Sequence, residues 1–382
     1  MKTLHLHGLD LAPAQAWGSV RLVPLIRRRV REDLRLARRR YDEDLAVVSL
    51  DGGILDAGIK YVSFVPHGLV ASWSNDGSAA ASLGGAMAAR AAKKDGKAFG
   101  RVARVLHRMV KREDDRSLRF LPLHLAMEGL LALCFGGPDV AWPEWSRRAI
   151  ARGLDPREEQ SISGAALPGF ADALRVFEIH ERQCGVLVFV ADALASAFVV
   201  PHPDDYRALH RSLLEDFYGE LLYRYGFLHP EATFAEATID ASKVATLADL
   251  RAALAGVRRD WADFGALLAS GALGRALRSE EVYRLGAFRL CRFTTDLSLH
   301  EENHLGEAIV RDDGTTEYLK TYRLSDAQAR RAHLLSKLRE HGWKLDRTAE
   351  ALGTTPLDLV QRLDRAGFAH LIAPALVAAA RA

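Results

Sequence analysis

The stretch "GVLVFVADALASAFVV" (Gly185–Val200) decides the fold. It is the most strand-like apolar run in the chain, and Asp192-Ala193 interrupts it. Its halves, Gly185–Ala191 and Leu194–Val200, read as two strands of a hairpin turning about those two residues. The next stretch is "PHPDDYRALHRSLLEDFYGELLYRYG" (Pro201–Gly226). Asp204 or Asp205 can cap a helix there, and Leu209, Leu213, Leu214, Phe217, Leu221 and Leu222 keep a helical stripe. A hairpin followed by a helix that covers it is an α+β pattern. The expected architecture is therefore α+β, with mixed or antiparallel sheets, covering helices and a small C-terminal helix-turn-helix.

Working toward the N-terminus, "VRLVPLI" (Val20–Ile26), "LAVVSL" (Leu45–Leu50) and "YVSFVPHGLVASW" (Tyr61–Trp73) are rich in β-branched and aromatic residues and read as strands. Gly52-Gly53 and Asn75-Asp76-Gly77 mark turns between them. The charged run Arg27–Asp44 reads as a solvated face beside edge strands or as a phosphate or nucleic-acid patch. Residues 83–112 are Ala-rich, and Val102, Val105, Leu106, Met109 and Val110 recur at helical spacing, which predicts a helix. Gly84-Gly85 lacks the following Gly-Lys-Ser/Thr that a phosphate loop needs. Phe120–Leu154 predicts two helices joined at Gly136-Gly137-Pro138. Glu128 lies inside the apolar run of the first. A carboxylate there is costly unless paired, which makes Glu128 a candidate ligand contact or a structural ion pair.

The block from "LPLHLAMEGLLALCFGG" through "GVLVFVADALASAFVVPHPDDYRALHRSLLEDFYGELL" resembles the ARG-and-rhodanese-phosphatase-associated protein domain family, where ARG stands for ADP-ribosylglycohydrolase. The resemblance covers roughly residues 10–225. It implies a ligand-binding or accessory role near ADP-ribose or NAD-derived nucleotide metabolism, and it brings no catalytic residues with it.

Downstream, "HEENH" (His300–His304) spells H-E-x-x-H. In a zinc hydrolase that motif works on a helix, where spacing i, i+4 puts both imidazoles on one face. Here Cys291, Phe293, Thr295, Leu297 and Leu299 alternate with polar residues, which predicts a strand. Strands over about Glu307–Arg311 and Thr316–Tyr322 follow, with a turn at Asp312-Asp313-Gly314. The pentapeptide thus falls on a connection between strands. A polar loop is the preferred reading, with no cofactor. The alternative is a metal-dependent hydrolase with zinc on His300 and His304 and Glu301 as its base. Glu301 and Glu302 are also candidate contacts for a hydroxyl-rich ligand such as a ribose.

Residues 232–286 read as helical scaffold. Beyond them, Ser325 or Asp326 starts a helix that ends near His341-Gly342. Leu345–Leu352 forms a short helix closed by Gly353, and Thr354 or Thr355 caps the next, with Pro356 in its first turn. Arg347, Ala349, Glu350, Leu352, Gly353, Leu359 and Leu363 make this segment similar to Fis-type DNA-binding domains. That resemblance implies phosphate or base contacts from Lys344, Arg347, Gln361, Arg362 and Arg365. The aspartates Asp358 and Asp364 oppose it.

Composition limits the function classes. Apolar residues make up 49% and charged residues 26% of 382, as in a soluble globular chain. A net charge of +3 gives no global polyanion binder. Three scattered cysteines form no metal or disulfide framework. The expectation is a cytoplasmic protein without membrane association, its body at 1–228, a helical linker and β-meander at 229–324, and the tail at 325–382. Its expected role is non-enzymatic, as a ligand-binding, regulatory or accessory protein. A small nucleotide-like ligand, DNA and a second copy of the chain are the partners considered.

Overall fold

The computed structural model describes residues 2–38, 169–214, 229–232 and 238–382, and between them the backbone of short strand segments within 46–110. Glu128 and the predicted helices of 120–154 lie outside the described residues, as does most of the predicted helix at 83–112.

Strands β1 (Leu9–Leu11), β2 (Gln15–Trp17) and β3 (Val20–Arg27) open the chain. Short strands β4 (Arg35–Arg38), β5 (Ala46–Ser49), β6 (Lys60–Phe64), β7 (Leu69–Ser72), β8 (Ala79–Ser82), β9 (Ala86–Ala89) and β10 (Met109–Val110) form two small side sheets. The strands at Ala86–Ala89 and Met109–Val110 correct the helical reading at those positions. Alanine spacing is ambiguous, and pairing of β9 with β8 and of β10 with β6 decides it.

Helix α1 (Phe170–Val176) leads into the hairpin of β11 (Gln183–Val190) and β12 (Ala193–Val199). Helix α2 (Pro203–Ser212) follows. Its cap is His202, whose ring accepts from the Asp204 amide at 3.1 Å. Asp204 and Asp205 lie in its first turn, at the positive end of the helix dipole. Helix α3 (Leu247–Ala269) is closed by a Thr246–Asp249 capping box. Then come β13 (Leu277–Leu285), β14 (Phe288–Thr295), β15 (His304–Arg311) and β16 (Thr316–Arg323). β13 corrects the reading of 232–286 as helical throughout. As an edge strand it leaves many side chains exposed, so it carries no apolar alternation to betray it.

Among the described residues the main sheet has nine strands, all antiparallel, in the order β1-β3-β11-β12-β16-β15-β14-β13, with β2 also on β3. β12 pairs with β16, Phe198 opposite Lys320. The sheet therefore joins strands from both sides of 228/229.

Both faces are covered. On one, Val20, Leu22, Val186, Val188, Phe198, Leu290 and Ile309 pack against Phe170 and Ala173 of α1 and Tyr206 and Leu209 of α2. On the other, Leu25, Leu187, Phe189, Val199, Phe293 and Leu319 pack against Leu4, Leu9 and the end of α3 at Ala269. Leu4 is held there because its amide donates to the Arg275 carbonyl at 3.2 Å. The C-terminal helices α4 (Asp326–Glu340), α5 (Leu345–Ala351), α6 (Pro356–Arg365) and α7 (Pro374–Arg381) follow β16. Ala329, Ala332 and Leu335 of α4 dock on Leu305 and Tyr322 of the sheet. No helix of the described residues is long and apolar enough to cross a membrane.

Candidate functional site

The first face of the sheet carries a row of charges. Register places Glu280 of β13 opposite Arg292 of β14, Arg292 opposite Glu307 of β15, and Glu307 opposite Lys320 of β16. Acid and base alternate across four strands, each beside an opposite charge, as cross-strand pairing favours. The row runs from solvent into the interior: Glu280 is 63% exposed, Arg292 11% and Glu307 1%. Lys320 is 2% exposed, and the row stops at Phe198.

Glu307, inside the row, is thinly bonded. Arg292 Nε lies 3.5 Å from Glu307 Oε1. Glu307 Oε2 has no hydrogen-bond partner among the described residues. Lys320 Nζ lies 5.3 Å from the centre of the Tyr322 ring. Burial pushes the Glu307 carboxyl up against the pull of Arg292 and Lys320. Burial pushes the Lys320 amine well down, with Glu307 opposing. The cheapest arrangement is one ion pair, Arg292 with Glu307, beside a neutral amine, since each additional buried charge costs several kcal/mol, roughly.

The outer half of the row forms one wall of a cavity of about 400 Å³ between β13, β14 and α4. Arg278, Glu280, Arg292 and Thr294 line it from the strands, and Ser336, Arg339 and Glu340 from the helix. Arg278 donates to Glu340 at 2.6 Å, to Ser336 at 2.9 Å and to Asp296 at 3.1 Å. That contact, followed by Lys337, holds the Glu340 carboxyl down at about 2. Arg339 lies 3.8 Å from Glu280. Three guanidiniums thus converge on one cleft, and planar donor forks of this kind suit phosphate or carboxylate oxygens.

The H-E-x-x-H segment is built differently. It lies on the connection from β14 to β15, and no helix passes through it. His300 is exposed, its amide donating to Ser298 Oγ at 3.2 Å. His304 begins β15 and is fully buried, with neither ring nitrogen hydrogen-bonded. The placement of both rings on one helical face, which a zinc hydrolase requires, is absent. Among the described residues no group of three His, Cys, Asp or Glu could hold a metal ion. Asn303 explains the loop: its side chain accepts from the Ser298 amide and donates to the Ser298 and Glu301 carbonyls. Glu301 pairs with Arg275 at 2.7 Å and Glu302 with Arg323 at 3.2 Å. Both glutamates serve ion pairs of this connection and stand apart from the residues lining the cleft.

In the tail, Lys344, Arg347, Arg362 and Arg365 are exposed. Gln361 is half-buried and donates to the Ala380 carbonyl of α7 at 2.8 Å. Arg381 clamps Asp364 with two bonds of 2.7 Å. α7 therefore occupies the part of α6 that carries Gln361 and Asp364.

Sequence reasoning passed over Arg292, Glu307 and Lys320. The signal that could have found them is a charge at an inward position of an apolar strand, as in "LGEAIV" (Leu305–Val310). The family model described as ARPP-2, for ARG and Rhodanese-Phosphatase-associated protein, matches residues 4–286. That span includes Arg278 and Glu280 and ends before Arg292. No curated protein and no solved structure matches the chain.

Proposed function

The chain belongs to the ARPP-2 family, and from that premise we propose that it is a non-enzymatic accessory protein binding a phosphate-bearing, NAD-derived ligand such as ADP-ribose in the cleft between β14 and α4. The observation that carries this reading is the convergence of Arg278, Arg292 and Arg339 on one cavity. An entering phosphate displaces Glu280 from Arg339 and engages Arg292 at the wall. Ser336 and Thr294 supply hydroxyls beside it. The charged donors lining the cleft are guanidiniums, which favour an anion once Glu280 and Glu340 are displaced from them. Family membership supports the accessory role, and the nucleotide chemistry rests on the arginines.

The test is thermal unfolding with ADP-ribose, NAD and ADP. A ligand at 100 times its Kd stabilises the fold by about 2.7 kcal/mol, which raises Tm by several degrees. Arg339→Ala and Arg292→Gln should each abolish the rise. No rise with any of the three ligands at millimolar concentration ends this reading.

The exposed Lys344, Arg347, Arg362 and Arg365 support a second reading, in which the tail holds DNA phosphates nonspecifically. Gln361 is committed to α7 and is not a base reader on this reading. A gel shift of the full chain with duplex DNA at low salt, weakened by Arg362→Ala, would support it, and no shift would remove it.

A further inference from the structure

We propose that the Arg292–Glu307–Lys320 row couples occupation of the cleft to the uptake of one proton. The inference rests on the reading of the cleft as an anion site and names how that site is regulated.

Arg292 belongs to two environments at once. Its side chain is part of the cleft wall, and its Nε lies 3.5 Å from Glu307 Oε1. The charged or titratable groups that face Glu307 are Arg292 from β14 and Lys320 from β16. The helix packed below them, α4, meets the sheet there through Ala329, Ala332 and Leu335. The carboxylate therefore depends on Arg292 for its compensation. Its second oxygen has no hydrogen bond to fall back on.

An anion in the cleft draws the Arg292 guanidinium toward itself and neutralises it. Glu307 is then a buried carboxylate with no opposite charge beside it, which is the costly state. One proton from solvent removes the cost. It rests on the Glu307 carboxyl, or it converts Lys320 to an ammonium that pairs with the carboxylate across the strands. The two sites are coupled, so the proton belongs to the pair. Charge balances in either case: the anion brings negative charge to Arg292 and the row gains one positive charge. No bond between heavy atoms forms or breaks.

Two experiments test this, one without any ligand. In Arg292→Gln the cation is removed permanently, so the native state holds up to one more proton near neutral pH than the wild type. Stability changes with pH as the difference in protons bound by the unfolded and native states. The unfolding equilibrium constant of Arg292→Gln should therefore rise up to about tenfold more per pH unit, as pH increases, than that of the wild type. The double variant Arg292→Gln/Glu307→Gln should return to the wild-type slope. Equal slopes in the wild type and Arg292→Gln overturn the proposal.

In the second experiment, ADP-ribose is titrated calorimetrically into the full chain at pH 7 in two buffers of different ionisation enthalpy. The wild type should take up between about half and one proton per ligand. Glu307→Gln should bind at least as tightly with no uptake. Binding without uptake in the wild type, or equal uptake in Glu307→Gln, overturns the proposal and leaves the function standing. Absence of ADP-ribose binding ends the functional reading, and the ligand-free slopes then decide the coupling alone.

Discussion

Strands β15 and β16 carry two buried charge clusters, and the two are built to opposite standards. At one end of the pair, Arg311 donates to Glu317 at 2.7 Å and to both oxygens of Asp33 at 2.7 and 2.8 Å. Arg27 adds bonds to the carbonyls of Thr316, Val200 and Glu317. Arg311 thus commits three donors to carboxylates and stacks on Phe288, 4.5 Å from the ring centre. Further along the same strands, Glu307 has one hydrogen bond among the described residues, at 3.5 Å. A buried charge saturated with hydrogen bonds is held in one state and serves the architecture. A buried charge left short of partners sits close in free energy to another protonation state, so it can respond. The first cluster ties the 27–33 segment to the β15–β16 hairpin. The second leads into a cleft.

The largest expected effect falls on the Arg311–Glu317–Asp33 cluster, the better bonded of the two. Arg311→Ala takes from Glu317, which is 4% exposed, its shortest partner and leaves it only the longer contacts of Arg27 at 3.4 Å and Arg31 at 3.7 Å. Breaking a buried pair from one side costs roughly 3–5 kcal/mol. Denaturant unfolding should register that loss as a lower midpoint. Proton uptake on ligand binding should stay as in the wild type, because Arg311 is not in the row. A change in uptake would mean that the two clusters act as one.

A smaller effect is expected at His304, buried at the start of β15 without a hydrogen bond to its ring. Burial lowers its pKa from 6.5, opposed by Glu302, while Arg323 and Arg275 push in the same direction as burial. The sign follows: the unfolded chain takes a proton on this residue below about pH 6.5 and the native state resists it. Stability contributed at neutral pH is therefore lost as pH falls below that value, by at most about 1.4 kcal/mol per pH unit. His304→Gln should flatten the acid limb of the stability curve between pH 6.5 and 5. An unchanged limb would show that this histidine accepts its proton inside the fold.

The same contrast explains what could be read from the chain alone. The hairpin of β11 and β12 was legible because two apolar runs flank a turn signal, and β15 and β16 because Asp312-Asp313-Gly314 separates them. Gly314 adopts a φ of +85°, which suits glycine. β13 was not legible: "LRSEEVYRL" (Leu277–Leu285) lies at an edge and shows water a charged pattern that also suits a helix. The charge row was half legible. Alternation puts Arg292, Glu307 and Lys320 on one face of their strands, but only register puts them beside each other, and two connections of unlike length set that register. The 296–303 connection drew attention through His300 and Glu301, whereas the charges that meet lie further along the strands it joins.

The smallest effect is expected where the comparison is most specific. Glu307→Gln keeps the shape of the side chain and removes its charge. If Glu307 were bonded as Glu317 is, the change would cost about 1.5–3 kcal/mol, the worth of hydrogen bonds to a charged group. Glu307 has one long hydrogen bond among the described residues and carries a burial penalty, so the lost attraction and the relieved desolvation nearly offset. We expect a change within about 1 kcal/mol of zero at pH 7. Arg292 then turns toward the cleft, where Thr294 and water can receive it. Glu317→Gln is the matched control on the neighbouring strand. Equal losses in the two variants would place Glu307 among the architectural charges and remove its capacity to respond; a near-zero loss at Glu307 with a clear loss at Glu317 would keep the two clusters distinct in kind.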